Sequence, residues 1–414
     1  MKFQLFMLPT IPATLEERAA KRPIGRDVDA FQAMIAEVRE LAVFADQAGF
    51  DVFSTTEHHF HSEGFEASVQ PMMLYADLAA RTENIAFAPL SLVLPANDPL
   101  RVAEQVAYLD HLTAGRVYGG YARGYQDRWV NVFGQHIPVK GTPMDGSPDD
   151  KHNRAVHEEY LELIYKAWTE DLLTFDGEFY KVPPKEGITR WPAAEWTRQY
   201  GHPDEIDENG HIRGISVIPK PYQQPYPPAF QPFSVSESTM VHTAHHGVMP
   251  IILVAEPGQF THLAKLYQSS AAEAGRDLKL GENIGAFRAV AFGEDRQQAW
   301  NLMERTNYYG FQIYFSGFGF WEALRLPGDE QTYPKGSALL PPEEWTMERF
   351  TKTKYGLVGT VDDIKRDIED LATIHGNGGE LEWFSWFFDQ GLMPLDEAKR
   401  QLELFAEHII PEFR

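Results

Sequence analysis

Thr55 to Gly64, TTEHHFHSEG, gathers three imidazoles and two carboxylates into ten residues. Histidine titrates near neutral pH and suits proton transfer, and a neighbouring carboxylate can fix its tautomer. Glu57, His58, His59 and His61 therefore form the first candidate site. HHFH also has the composition of a metal tract. Adjacent residues of an extended chain point apart, however, whereas metal ligands must converge, so no metal is expected. Packed or solvated histidines are the plain alternative.

A second cluster, GRVYGGYARGYQDRW, sets Arg123 among Gly119, Gly120 and Gly124. Small residues let a ligand approach the backbone, and a guanidinium offers a fork to phosphate. A simple ion pair from Arg123 to a carboxylate is the competing reading. In FSVSESTMVHTAHHG, Ser236, Glu237, Ser238 and Thr239 open a helix, where hydroxyls and backbone N–H groups make either an anion site or an ordinary N-cap. Arg154 begins another helix with Glu158 and Glu159 one turn on, a pattern that also suits a surface ion pair.

The elements that must carry these residues alternate. Apolar runs predict strands over 2–8, 51–55, 85–94 (interrupted at Pro89), 116–121, 233–236, 249–253, 284–292 and 381–387. Helical spacing marks 31–45 up to Gly49, 71–81, 100–112, 154–168, 239–246, 259–274, 296–308, 361–374 and 395–408. Asp176-Gly177 reads as a hairpin turn. About eight strands alternating with helices predict an α/β fold, a (β/α)8 TIM barrel over residues 1–414 as one domain, with the candidate residues at its C-terminal mouth. Two stretches, about 183–232 and 310–356, exceed ordinary loops and are expected as insertions at that mouth. The aromatic run Phe311 to Trp321 suits a lid and apolar substrate wall, or packing at a dimer interface.

Composition narrows the partners. Lys plus Arg is 37 against 60 for Asp plus Glu, a net charge of −23, which disfavours nucleic acid and anionic membrane surfaces. There is no cysteine, so disulfides and thiol nucleophiles are excluded. No apolar run is long enough for a membrane helix and the first residues do not resemble a signal peptide, so a cytoplasmic protein is expected.

Read together and in order, the EHHF motif, LTAGR…G…ARG…VFG, SVSES with its helix, GLVGTVDDI and the C-terminal WFSWFFDQGLMPLDEAKRQLELFAEHIIPEFR resemble the bacterial luciferase-like, flavin-dependent monooxygenases. The resemblance implies a TIM barrel, usually a homodimer, that takes reduced FMN from a separate flavin reductase. The reduced flavin reacts with dioxygen to a C4a-hydroperoxide that oxygenates a small or medium apolar organic substrate. It implies that His58, with His59 beside it, is catalytic. Arg123 (next to Ala122) and Arg154 would grip the FMN phosphate with Glu237, Ser238 and Thr239. Leu90-Ser91 falls where the family often has a non-proline cis peptide beneath the flavin ring. Ala122 replaces a reactive cysteine of true luciferase, Trp129 an acidic residue and Asp98 a histidine; the first two argue against light emission and for another substrate. Two alternatives share the fold: a reduced-deazaflavin oxidoreductase that needs no dioxygen, and a non-catalytic flavin-binding protein.

Overall fold

Twelve strands form among the described residues: β1 (Lys2–Met7), β2 (Val52–Thr55), β3 (Ala86–Pro89), β4 (Leu92–Val93), β5 (Gly119–Ala122), β6 (Phe175–Asp176), β7 (Lys181–Val182), β8 (Ala229–Ser234), β9 (Met249–Ile252), β10 (Gly285–Phe292), β11 (Gly356–Gly359) and β12 (Trp383–Phe388). The structure is a computed structural model that describes residues 1–185, 190–333 and 340–414. Residues 186–189 and 334–339, within the two expected insertions, lie outside the described residues. The strands fall in two compact units, residues 1–91 with 229–414, and residues 92–228.

The first unit holds a parallel sheet in the order β3-β2-β1-β12-β10-β9-β8, with β11 beside β10. Every residue of β10 and β12 is buried, as expected of a parallel sheet covered on both faces. On one face Phe6 packs against Phe287 and Phe387, each at 5.2 Å between ring centroids. Phe233 stacks on Phe287 at 4.9 Å, its backbone left-handed (φ 51°) where the β8–β9 register shifts. On the other face Phe3, Phe384 and Trp386 meet Phe405 of the helix Leu395–His408 at 5.5, 5.8 and 4.7 Å. Each ring so buried contributes roughly 1.5–3 kcal/mol. The helix Val28–Ala48 starts where Asp27 accepts from the Ala30 N–H and buries Met34, Val38, Leu41, Ala42 and Ala45, the spacing that predicts it.

Three expectations change here. The run 85–94 is not one strand: β3 ends at Pro89 and β4 begins at Leu92, with the cis Leu90–Ser91 peptide between them. The helix expected over 296–308 ends at Arg305, since Thr306 leaves helical geometry (φ −117°, ψ −106°), and a second helix, Asn307–Ile313, follows. β11 lies at a boundary the sequence reading assigned to an insertion. The aromatic run also resolves: Phe311, Phe315 and Trp321 are buried inside their own unit, with Phe315 on Phe387 and Phe320 on Phe233 at 6.0 Å each. These three rings are internal packing.

In the second unit β4 pairs in parallel with β5. The helix Pro99–Thr113, capped by Asp98, is pinned to the helix Pro148–Thr169 by Trp168 Nε1 donating to the Ala103 carbonyl at 3.0 Å. The latter starts six residues earlier than its apolar spacing predicts. Ser147 caps it, Pro148 takes the first position, and Asp149 and Asp150 suit the positive end. The helix Asp127–Phe133 was not anticipated. The hairpin β6–β7 forms, but its turn is Gly177–Tyr180, because Asp176 pairs with Lys181 inside the ladder and Glu159 accepts the Glu178, Phe179 and Tyr180 N–H groups.

Candidate functional site

In the first unit the chain leaves β2 into the loop that carries the histidines. Tyr75 clamps the strand end, its hydroxyl accepting from Thr55 N at 2.8 Å and donating to the Ala88 carbonyl at 2.9 Å. Burial pushes the Tyr75 phenol well above its usual range, so it stays a neutral donor. Leu90 N donates to Thr55 O at 2.7 Å, which ties the cis Leu90–Ser91 peptide to the same place; Leu90 and Ser91 are both buried. His58 N donates to Ser68 O at 2.9 Å and Ala67 N to Pro9 O at 2.6 Å, so the loop folds back over the strand ends. Phe60 and Glu66 are left-handed (φ 63° and 51°), a conformation non-glycine residues adopt at a cost of about 1–2 kcal/mol, often at functional sites.

This doubled-back path corrects the expectation that neighbouring histidines diverge. His58 and His61, three residues apart, both turn to Glu66, with Nδ1 at 3.6 and 3.7 Å from one carboxylate oxygen. The ligand atoms of these three buried residues all lie within 4.8 Å of one another. His59 is directed elsewhere, its Nε2 3.1 Å from Glu57 Oε1. Tyr314, after the helix Asn307–Ile313, brings its hydroxyl to 3.4 Å from His61 Nε2. Glu66 lies outside the histidine tract and has no local sequence signal; only the fold reveals it.

At the start of the helix Glu237–His246, Ser236 is the N-cap, with Thr239 N donating to its Oγ at 3.2 Å. Its hydroxyl also meets Ser238 Oγ at 3.1 Å and Thr239 Oγ1 at 2.9 Å. The ordinary cap is thus realised, with Ser238 and Thr239 hydroxyls grouped around it. Glu237 is exposed and lies 2.8 Å from His262 Nε2.

In the second unit Ala122 ends β5 and Arg123 follows. Its guanidinium donates to Asp150 Oδ1 at 2.5 Å; Asp150 also accepts from Thr142 Oγ1 and Gly146 N, each at 2.8 Å. The ion-pair reading of Arg123 is therefore correct as far as it goes. Burial holds the Arg123 pKa below its ordinary value, Asp150 opposes that, and the Arg154 charge adds to the lowering. Arg154 is exposed and, among the described residues, pairs with no carboxylate, so Glu158 and Glu159 do not neutralise it. Arg123 is thus paired with Asp150 and also feels the Glu158 charge, while the neighbouring Arg154 has no ion-pair partner among the described residues. Gly124 does not open the backbone to a ligand: at φ 74°, an added Cβ would meet Val93 Cγ1 at 2.5 Å and Val130 Cγ2 at 2.8 Å. Trp129, in the family's acidic position, is buried and donates to Gln126 Oε1 at 2.9 Å.

A family model described as luciferase-like monooxygenase matches residues 1–378. The chain belongs to that family. It is 22% identical over 373 residues to 3,6-diketocamphane 1,6-monooxygenase of Pseudomonas putida, covering 90% of this chain and 91% of that one. Among solved structures it is similar to the oxygenating constituent of 3,6-diketocamphane monooxygenase from P. putida in complex with FMN (TM-score 0.72, 20% identity, 100% and 99% of the two chains). It is also similar to the coenzyme F420-dependent tetrahydromethanopterin reductase of Methanopyrus kandleri (TM-score 0.61, 14% identity, 100% and 99%). These likenesses establish the luciferase-like α/β TIM-barrel fold. As a luciferase-like monooxygenase, the chain is an oxygenating, flavin-dependent enzyme. No helix among the described residues is long and apolar enough to cross a membrane.

Proposed function

We propose that this enzyme is the oxygenating component of a two-component system. It takes reduced FMN from a separate flavin reductase and inserts an oxygen atom from dioxygen into a small or medium apolar organic compound. The observation that carries the reading is the neighbouring pair Arg123 and Arg154: one guanidinium oriented by Asp150 and one exposed without an ion-pair partner among the described residues suit a phosphate dianion. The FMN-bound structure of the diketocamphane enzyme supports the choice of flavin.

Arg123, oriented by Asp150, and Arg154 would hold the phosphate. Bound reduced FMN supplies the activation of dioxygen. His58, held in a buried loop, gives or takes the proton at the flavin or the substrate. The aromatic packing of Phe311, Phe315 and Trp321 keeps its own region dry.

The likeness to a coenzyme F420-dependent reductase favours one second reading, hydride transfer from a reduced deazaflavin. Oxygen-electrode assays with reduced FMN across a panel of cyclic ketones and aromatics decide between them. Substrate-dependent oxygen uptake with an oxygenated product is expected; deazaflavin-linked reduction without oxygen uptake would refute the proposal.

A further inference from the structure

Glu66 is a carboxylate with no exposed surface, on a left-handed backbone (φ 51°) that side-chain-bearing residues avoid. A carboxylate withdrawn from water needs compensation by partners. Here those partners are two imidazoles: His58 Nδ1 at 3.6 Å and His61 Nδ1 at 3.7 Å from the same oxygen. The two rings stand 5.6 Å apart, tilted by 62°, with Tyr314 against the far side of the pair at His61.

We propose that Glu66 is a positioning residue for His58. Its carboxylate faces His58 Nδ1 at ion-pair distance and favours a proton there, which leaves Nε2 as the nitrogen that exchanges protons, while His61 approaches the same oxygen and shares its charge. The inference rests on the role given to His58 above. The same three residues have the composition of a metal set, but ligands bonded to Zn²⁺ at about 2.0–2.2 Å lie about 3–3.5 Å apart. The separations of 3.6 and 3.7 Å, both measured to one carboxylate oxygen, are those of an ion pair and exceed hydrogen-bond length, and zinc titration of the wild-type protein separates an ion-paired set from a metal set. Other charged or titratable groups around the loop are Glu57, His59 and Glu63 on the loop itself, Arg18 of the helix Leu15–Ala20 (donating to Glu63 O at 2.8 Å), Tyr314, and Asp389 after β12.

The test follows the His58 ring proton by NMR titration of the flavin-free, full-length protein, assigned with His58→Gln. Glu66→Gln should lower the His58 midpoint by about one unit or more, since an anion within 4–6 Å favours the imidazolium. His61→Asn should raise it, because His58 then has the carboxylate to itself. The pH profile of kcat/KM in the loaded enzyme should move in the same directions, with circular dichroism unchanged. An unmoved midpoint in Glu66→Gln, or a fall in His61→Asn, overturns the proposal. If Glu66→Gln does not fold, the direction seen in His61→Asn decides. Stoichiometric Zn²⁺ binding by the wild-type protein would also overturn it, by making the three residues a metal site. The NMR result does not depend on which flavin binds, so it stands or falls separately from the FMN assignment.

Discussion

Removing the Arg154 side chain should separate binding from stability. Arg154 is exposed, pairs with no carboxylate among the described residues, and sits near enough to Arg123 for its charge to disfavour that guanidinium. Arg154→Ala therefore removes no native ion pair and relieves a like-charge contact, so the unfolding free energy of the flavin-free protein should change by no more than about 0.5 kcal/mol. A charged hydrogen bond to phosphate is worth about 1.5–3 kcal/mol; discounted for an exposed group, about 1–2 kcal/mol remains. That corresponds to a dissociation constant for reduced FMN weaker by about 5- to 30-fold. Arg123→Ala should differ in kind. It strips Asp150 of its guanidinium, so stability and affinity fall together. The assay is anaerobic titration of reduced FMN at two salt concentrations, beside urea unfolding of the flavin-free protein. An Arg154→Ala protein with wild-type affinity, or one that loses stability as Arg123→Ala does, would show that this guanidinium does not serve a phosphate.

Asp150→Asn should cost about 1–3 kcal/mol at neutral pH. Burial would raise the Asp150 carboxyl, but bonds from Thr142, Gly146 and Arg123 outweigh it and hold the group below its usual range. Its contribution is therefore present above the unfolded-state pKa of about 3.9 and lost as pH falls through the folded value, so the variant's acid limb of urea stability against pH should be flatter. Asp389 has the opposite sign: burial pushes its carboxyl up to about 7. The folded state prefers the protonated form, and stability declines as pH rises from about 4 to 7. Asp389→Asn should abolish that decline and be more stable than wild type at pH 8 by about 1–4 kcal/mol, read from denaturant midpoints. Trp321 is 1% exposed and stacked on Trp345 at 6.0 Å. Trp321→Ala should cost about 3–5 kcal/mol in urea unfolding, and a loss under 1 kcal/mol would refute its place in the core.

Periodicity carried most of the element types, because burial in a parallel sheet writes itself as apolar runs and amphipathic helices bury one stripe. Where two signals compete, the pattern misleads. Gly356–Gly359 has only two large apolar residues, and Gly356 is required because an added Cβ would meet the Phe350 ring at 2.6 Å, a contact local sequence does not show. The helix Pro148–Thr169 begins at its cap and not at its first apolar residue, which is why the reading from Arg154 missed Asp150. The same omission hid the ion pair that orients Arg123. The candidate site follows this division. His58, Arg123 and Ser238 were legible as residue types at strand ends, where a barrel exposes its chemistry. Glu66 and Asp150 were not, because a carboxylate becomes a positioning group only through what the fold sets beside it. For Glu66 that depends on a backbone reversal at Phe60 and at Glu66 itself, both left-handed without glycine. The groups proposed to touch the flavin are thus a pattern readable in sequence, while the carboxylates beside them are set there by tertiary structure. Differences in chemistry between relatives of this family should accordingly be sought first among carboxylates such as Glu66.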